Sequence, residues 1–326
     1  MKKFLTRLAL LAVILLLVII GMHAVAIWNM QDDVEAIYTI DPSTEVLFLG
    51  SSQVGCSIDE DEDKVYHLRK IWASYTIVPS CLMRLRELER RGQLDRLKTV
   101  VVPFNVNSVL AQNKKEYLGA WYRELPVSWR HMDLLPYSRL ELAWYILCNL
   151  RYPIMMVLAE EPPEREGLAS RPEAYRNKML ATFRQNAQNV RARKDAPDDV
   201  NPLCSPLAPK HLFGAYQEMS DICKRHGIRF VIYKAPLLPE FEHNLPVETQ
   251  KQVAAYEQGL REMHIEYVKP QIELDERHFF DDVHLIKSGA DIFTAELFRM
   301  MELVAAKTPQ NQPKPTTNQM KGKPNE

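Results

Sequence analysis

The chain has 326 residues, with 41 basic and 42 acidic side chains and a hydrophobic fraction of 46%. This length can bury one large core in one or two domains, and the composition is ordinary for a globular protein. A formal net charge of −1 leaves no basic excess to favour nucleic-acid binding. The five cysteines form no CxxC pair and no metal-ligand spacing, and their odd number argues against a disulfide scaffold.

The N-terminus carries the clearest single pattern. Three basic residues precede an apolar run from Leu8 to Ile27 that lacks Lys, Arg, Asp and Glu. About 20 such residues can cross a bilayer core as a helix. Basic residues before the run and acidic residues after it predict a single-pass protein of the cytoplasmic (inner) membrane, with its globular domain on the periplasmic or extracellular side. The alternative is a cleaved signal peptide, because residues 24–26 (AVA) resemble a cleavage site, and both interpretations export the domain.

Strand-like and helical segments alternate after this run. The pattern predicts strands at Glu45–Leu49, Lys64–Leu68, Thr99–Phe104, Ile228–Tyr233 and Ile265–Val268, and helices at Pro79–Arg91, His211–His226, Glu248–Met263 and Ile286–Val304. Such alternation predicts a parallel sheet covered by helices on both faces. In sheets of this kind the active site lies beyond the carboxyl ends of the strands.

Residues 110–209, approximately, interrupt the alternation with aromatics and prolines but no clear strand, which predicts a helical insertion that could wall or cover the site. Within it, Leu140–Ala159 is strongly apolar, but its polar residues and a proline favour a buried or membrane-facing helix pair over a second span. The last 20 residues are nearly devoid of apolar side chains, which predicts a disordered tail. We therefore divide the chain into an anchor or signal peptide at 1–30, an α/β domain at 31–306 and a tail at 307–326.

A candidate nucleophile follows the first predicted strand. Ser52 ends the tripeptide Gly50-Ser51-Ser52, where a hydroxyl would project from the edge of the sheet. A serine becomes a good nucleophile only when a base removes its proton and a third group orients that base. Taken alone, the tripeptide is more typical of a helix-capping serine. It is also not a GxSxG nucleophile elbow, because Val54 stands where that motif needs glycine.

Candidates for the base and its orienting group stand between the last predicted strand and the last helix. In the segment Asp281-Asp282-Val283-His284, an aspartate three residues before the histidine can accept the imidazole N–H and leave the other ring nitrogen for a serine. A DxxH pattern alone is common, and His284 has helix capping as its alternative role. The joint placement of Ser52 after the first strand and His284 after the last one favours the catalytic interpretation.

Two segments resemble signature blocks of the SGNH/GDSL hydrolase family. Residues 46–59 (VLFLGSSQVGCSID) resemble its first block, in the GSS-type variant of exported bacterial proteins, and residues 279–294 (FFDDVHLIKSGADIFT) resemble its terminal block. The resemblance implies a flavodoxin-like three-layer α/β/α sandwich with a parallel sheet, and no metal or organic cofactor. It implies Ser52 as nucleophile, His284 as base and Asp281 as the orienting residue, since Asp281 rather than Asp282 has the family's spacing.

The same resemblance implies an oxyanion hole made of the nucleophile's N–H, a glycine N–H after the second strand and an asparagine after the third. The segment HLRKIWAS aligns with the middle block of the family, with His67 in place of an asparagine and Trp72 in place of the glycine. Asparagine after the third strand is equally typical of a turn. The candidate donors are the backbone N–H groups of Ser52 and Ala73 and the side chain of Asn105, with Asn107 as the alternative to Asn105.

Two classes of function therefore stay open. The first is an exported esterase or O-acyltransferase acting on acyl esters of cell-envelope or polysaccharide substrates, with the membrane contacted through the N-terminal helix. The second is a catalytically idle module of the same fold that binds a polymer or a membrane partner during envelope assembly. The serine, histidine and aspartate favour the enzyme, whereas Trp72 in place of glycine favours the idle module.

Overall fold

In a computed structural model of the protein, the described residues are 2–58, 67–72, 78–104, 121–122, 124–125, 127–134, 138–148, 209–245 and 247–307, together with 174, 177 and 181. Within these ranges the strands are β1 (Val46–Gly50), β2 (Leu68–Trp72), β3 (Thr99–Phe104), β4 (Arg229–Lys234) and β5 (Glu266–Val268). The α-helices are α1 (Lys2–Asn29), α2 (Gln31–Ile37), α3 (Ser52–Ser57), α4 (Val78–Arg90), α5 (Val127–Arg130), α6 (Arg139–Cys148), α7 (Pro209–Arg225), α8 (Pro239–Asn244), α9 (Val247–Glu262) and α10 (Lys287–Lys307).

The strands form one parallel sheet in the order β2-β1-β3-β4-β5. This is the flavodoxin-like, doubly wound order, in which the chain goes first to one edge and then returns past β1 to build the other half. The predicted fold class is confirmed. Because all strands are parallel, the segments that follow β1 and β5 leave the sheet on the same edge.

The central strands are apolar throughout because helices cover both faces of the sheet. Residues 47–49, 100–102 and 231–233 are completely buried. On one face, α10 packs against the strands through the edge-on contact of Phe298 with Phe48, and α3 lies beside it. On the other face lie α4, α7 and α9, with the Tyr216 hydroxyl of α7 donating to the Pro103 carbonyl of β3 at 3.0 Å. The molecule is therefore a three-layer α/β/α sandwich.

Strand β2 differs from its prediction. It starts at Leu68, where the predicted strand ended, and the earlier residues 64–66 lie outside the described part of the chain. As an edge strand, β2 buries Leu68 and Ile71 but leaves its charged residues more exposed, so its sequence lacks the continuous apolar run of a central strand. Lys70 has a local role, since its ammonium donates at 2.8 Å to the Ile58 carbonyl beyond the C-terminus of α3.

The described part of the predicted insertion is helical. It comprises α5, a 3₁₀ turn at Met132–Leu134 and α6, which covers the first half of the apolar segment 140–159. Residues 149–159 lie outside the described residues, as does the predicted tail at 307–326 except for Lys307, which ends α10. The domain boundaries therefore stay predictions.

Helix α1 is the one helix, among the described residues, that is long and apolar enough to cross a membrane. Most of its side chains are exposed, but some side chains near its C-terminal end are buried. His23 and Ala26 are buried, and so is Met30 just after the helix. The His23 Nδ1 atom lies 2.8 Å from the Tyr122 hydroxyl. One face of the last two turns of α1 is thus packed against the rest of the protein.

Candidate active site

The turn from β1 into α3 brings Ser52 to the carboxyl edge of the sheet. A Cβ atom at Gly50 would overlap the Val54 side chain, so this close approach requires glycine. Ser51 is the N-cap of α3, and its hydroxyl accepts a 3.3 Å hydrogen bond from the Gln53 N–H. Capping is therefore the role of Ser51, and the hydroxyl of Ser52 is available for another partner.

His284 stands on a short loop whose backbone closes on itself. The Phe280 N–H donates to the His284 carbonyl at 2.8 Å. Inside the loop, the Asp281 carboxylate accepts the N–H groups of Val283 at 3.0 Å and of His284 at 2.8 Å. These bonds fix both the aspartate and the histidine before any contact with the serine is considered.

The side chains of Ser52, His284 and Asp281 meet at this edge of the sheet. The Ser52 Oγ lies 2.7 Å from His284 Nε2, and His284 Nδ1 lies 2.7 Å and 2.9 Å from the two Asp281 carboxylate oxygens. A carboxylate only accepts hydrogen bonds, so the ring carries its proton on Nδ1 and leaves Nε2 to accept from the serine hydroxyl. This is the arrangement in which a histidine can remove a proton from a serine.

The pKa values of the two neighbouring aspartates are shifted in opposite directions. Burial works to raise the pKa of Asp281, but its hydrogen bonds to the His284 ring and to the loop N–H groups outweigh burial, and the pKa lies below its ordinary value. Burial, together with the negative charge of Asp281, raises the pKa of Asp282 to about 8. Asp281 therefore gives up its proton more readily than a free aspartate, whereas Asp282 gives up its proton much less readily.

Gln53 connects α3 to the histidine loop. Its side chain is 2% exposed, and its Nε2 donates at 3.3 Å to the carbonyl of Val283, the residue before His284. On the other side of the loop, the Leu238 N–H donates at 2.9 Å to the Asp282 carbonyl. The position of His284 relative to Ser52 is thus braced from two elements. Nothing in the sequence pattern pointed to Gln53.

A buried arginine lies beneath the turn that carries Ser52. Arg84 on α4 is 1% exposed, and its Nη1 donates at 3.1 Å both to the Gly50 carbonyl and to the Ile71 carbonyl. Its Nε donates at 3.0 Å to Glu124, whose other carboxylate oxygen accepts the Tyr38 hydroxyl at 2.6 Å. Burial opposes the charge, but Glu124 raises the pKa of Arg84 above its ordinary value. One buried ion pair therefore holds the ends of β1 and β2 together.

The predicted oxyanion donors are placed only in part. Ser52 is the first residue of α3, and within the described residues its N–H has no hydrogen-bond acceptor. Ala73 and Asn105 lie outside the described part of the chain. Their contribution to an oxyanion hole stays a prediction.

The two residues that depart from the family's middle block lie at opposite ends of β2. His67 precedes the strand, and its carbonyl accepts the Glu45 N–H at 2.8 Å at the amino edge, away from the candidate site. The segment HLRKIWAS therefore does not follow the second strand, because residues 68–72 form that strand and His67 precedes it. Trp72 ends the strand in register with Gly50, and its ring lies so close to Gly55 that a Cβ there would overlap it. The tryptophan thus lies at the carboxyl edge, beside α3.

Comparisons with known proteins do not assign a function to the residues of this site. No protein-family model matches the chain, and no curated protein matches it. Among solved structures, the chain is similar to a GDSL-like lipase from Bacteroides thetaiotaomicron VPI-5482 (13% identity, TM-score 0.39) and to a "putative acylhydrolase" from Bacteroides fragilis NCTC 9343 (10% identity, TM-score 0.39). Each similarity covers 85% of this chain and 97% of the other. At these TM-scores the two similarities decide neither the fold nor the function of this chain.

Within the described residues, no group of three or more His, Cys, Asp and Glu side chains could hold a metal ion.

Proposed function

We propose that the protein is an SGNH-type serine esterase or O-acyltransferase that acts on acyl esters of cell-envelope or polysaccharide substrates. The observation that carries this proposal is the chain of hydrogen bonds from Ser52 through His284 to Asp281. A serine that only begins or caps a helix needs no histidine at its hydroxyl, and it does not need a histidine whose tautomer is fixed by a carboxylate.

In this mechanism, His284 Nε2 takes the Ser52 proton as the serine oxygen attacks the carbonyl carbon of the ester. The tetrahedral intermediate expels the alcohol, which receives the proton from the imidazolium, and an acyl group remains on Ser52. Water or a sugar hydroxyl then attacks this acyl-enzyme, with His284 again taking and returning the proton. The Asp281 carboxylate stabilises the imidazolium in both steps. The Ser52 N–H and, in the prediction from the sequence, Ala73 and Asn105 stabilise the oxyanion.

The proposed location is outside the cytoplasmic membrane, with α1 as an uncleaved anchor. The length and composition of α1 are sufficient for a span. A signal peptidase would need access to residues 24–26, but Ala26 is completely buried and the preceding His23 is packed against Tyr122. A reporter fused at the end of the domain should therefore be active only in the exported compartment, and cytoplasmic activity of that reporter would contradict the proposed topology.

The acyl-enzyme itself provides the test of the chemistry. The full chain in detergent is mixed with p-nitrophenyl acetate and quenched in acid, and the peptides are analysed by mass spectrometry. We expect an acetyl group on the peptide that contains Ser52, and none in the His284→Ala protein. Release of nitrophenol without acetylation of that peptide would contradict the proposed mechanism.

The idle binding module is the second candidate, and Trp72 is the observation that favours it. Its large side chain lies at the carboxyl edge where the family resemblance implies a glycine. An intact triad without oxyanion donors would acylate poorly, because one missing donor typically costs on the order of a hundred- to a thousandfold in rate. If no acetylation occurs, this second candidate is favoured.

A further inference from the structure

Helix α6 presents apolar side chains that no described residue covers. Leu140 is 83% exposed and Trp144 is 69% exposed, whereas Leu142 on the same helix is buried. The charged residues of α6, Arg139 and Glu141, are confined to its first turn. The rest of the helix is apolar and aromatic, with a tryptophan pointing away from the protein.

The outer end of α1 lies directly against this helix. Helix α6 contacts α1, and the backbone of Ile146 faces the His23 ring. On its other side the ring is hydrogen-bonded to the hydroxyl of Tyr122, which belongs to the same insertion. Two parts of the insertion therefore enclose one residue of the proposed span.

The position of His23 along α1 indicates how deep in the bilayer its contacts with Tyr122 and α6 lie. His23 lies four residues before Ile27, the end of the apolar run, which corresponds to about 6 Å along a helix. A polar ring at that depth is costly when it faces lipid, and less so when protein covers it. The Tyr122 hydroxyl lies within hydrogen-bond distance of the His23 Nδ1, whereas the buried Nε2 makes no hydrogen bond among the described residues. Tyr122 and α6 supply that cover, so they must lie at the level of the outer part of the bilayer. Trp28 follows the run immediately and is 76% exposed, as expected of a tryptophan at a membrane interface.

We infer that α6 is a membrane-docking helix, whose Leu140 and Trp144 contact the lipids of the outer leaflet beside α1. This inference rests on the proposed membrane span, but not on the proposed chemistry. The same insertion also reaches the candidate active site, because Glu124 pairs with Arg84, which holds the end of β1. The domain is then held against the bilayer at a fixed height, rather than tethered to it through a linker alone.

Tryptophan quenching by brominated lipid tests the inference with the full chain. The protein is placed in nanodiscs of phosphatidylcholine whose acyl chains either carry bromine or do not, and the bromine-dependent loss of fluorescence is measured. The variants are Trp144→Phe and Trp28→Phe. Trp121→Phe is the matched control, because the Trp121 ring lies in the same insertion but is only 1% exposed.

We expect bromine to quench the unmodified protein, and the quenched fraction to fall in both Trp144→Phe and Trp28→Phe but not in Trp121→Phe. If Trp28→Phe lowers the quenched fraction and Trp144→Phe does not, α6 lies away from the bilayer and the inference is wrong. If neither variant lowers the quenched fraction, the proposed span is wrong, and the inference that α6 docks on the membrane is wrong as well. Acetylation of Ser52, measured separately, distinguishes both results from a failure of the proposed chemistry.

Discussion

The guanidinium of Arg84 donates a 3.1 Å hydrogen bond to the carbonyl oxygen of Gly50, two residues before Ser52. A second bond from the same nitrogen reaches the Ile71 carbonyl, one residue before Trp72. The turn that carries the proposed nucleophile is thus supported by a buried charge on α4 and by Glu124 from the insertion. Arg84 does not face the reacting atoms, so its role is to position the turn.

Removal of Glu124 should strongly destabilise the domain. Glu124→Gln leaves the Arg84 charge buried without its counter-ion, and breaking a buried ion pair typically costs about 3–5 kcal/mol in the free energy of unfolding. The matched control is Asp291→Asn, which removes the partner of Lys287 in an exposed pair and should cost at most about 1 kcal/mol. Urea unfolding of the two variants provides the comparison. Equal losses in both would show that the buried pair is not a support of the fold.

The two adjacent aspartates should differ sharply in their effect on acylation. Asp281→Asn no longer holds the Nδ1–H tautomer of His284, and the corresponding change in a serine protease triad lowers the rate by about ten-thousandfold. Asp282→Asn is the matched control, since within the described residues the His284 ring is hydrogen-bonded to Asp281 and not to Asp282. Pre-steady-state nitrophenol release measures both rates. A larger loss in Asp282→Asn than in Asp281→Asn would overturn the assignment of the orienting residue.

Asp282 should make the folded domain less stable as the pH rises. Its pKa of about 8 in the folded protein exceeds its ordinary value of 3.8, so the folded state binds more protons than the unfolded state between those values. Its contribution to the free energy of unfolding is therefore full below about pH 4 and is lost as the pH rises through about 8, by at most about 1.4 kcal/mol per pH unit. Asp282→Asn should flatten this slope between about pH 5 and about pH 8. Parallel slopes for the variant and the unmodified protein in urea titrations would contradict the buried, protonated state.

Asn105 is the remaining predicted oxyanion donor that a single substitution can test. Asn105→Ala should slow acylation on the order of a hundred- to a thousandfold, because the tetrahedral intermediate loses a side-chain donor. Binding of an uncharged substrate analogue should be nearly unchanged, since the donor acts mainly on the developing oxyanion. Asn107→Ala serves as the control. Acylation of Asn105→Ala at the unmodified rate would remove Asn105 from the oxyanion hole and leave the triad intact.

The sequence was sufficient to predict the central sheet and the proximity of Ser52 to His284. Strands β1, β3 and β4 are buried on both faces and therefore read as continuous apolar runs. Residues that follow parallel strands must share an edge, so the two side chains were expected to lie near each other. Strand β2 was misplaced because it lies at the edge of the sheet, buries only Leu68 and Ile71 and carries charged residues between them.

Arg84 and Gln53 could not be predicted for a different reason. A charged or amide side chain is compatible with burial only when its partners are present, and the partners of Arg84 come from distant parts of the chain. Glu124 stands in an insertion with no strong periodicity, so nothing in the sequence indicates the pairing. For Gln53, the partner is a backbone carbonyl at Val283, which leaves no trace in the residue types.

The most direct test of the proposed function is covalent labelling of the full chain by a fluorophosphonate probe, which reacts with activated serines. We predict a single adduct on the peptide that contains Ser52, no adduct in Ser52→Ala, and an adduct retained in Ser51→Ala, because Ser51 only caps α3. Circular dichroism of each variant controls for loss of fold. Labelling that persists in Ser52→Ala, or absence of labelling in the folded, unmodified protein, would contradict the claim that Ser52 is an activated nucleophile.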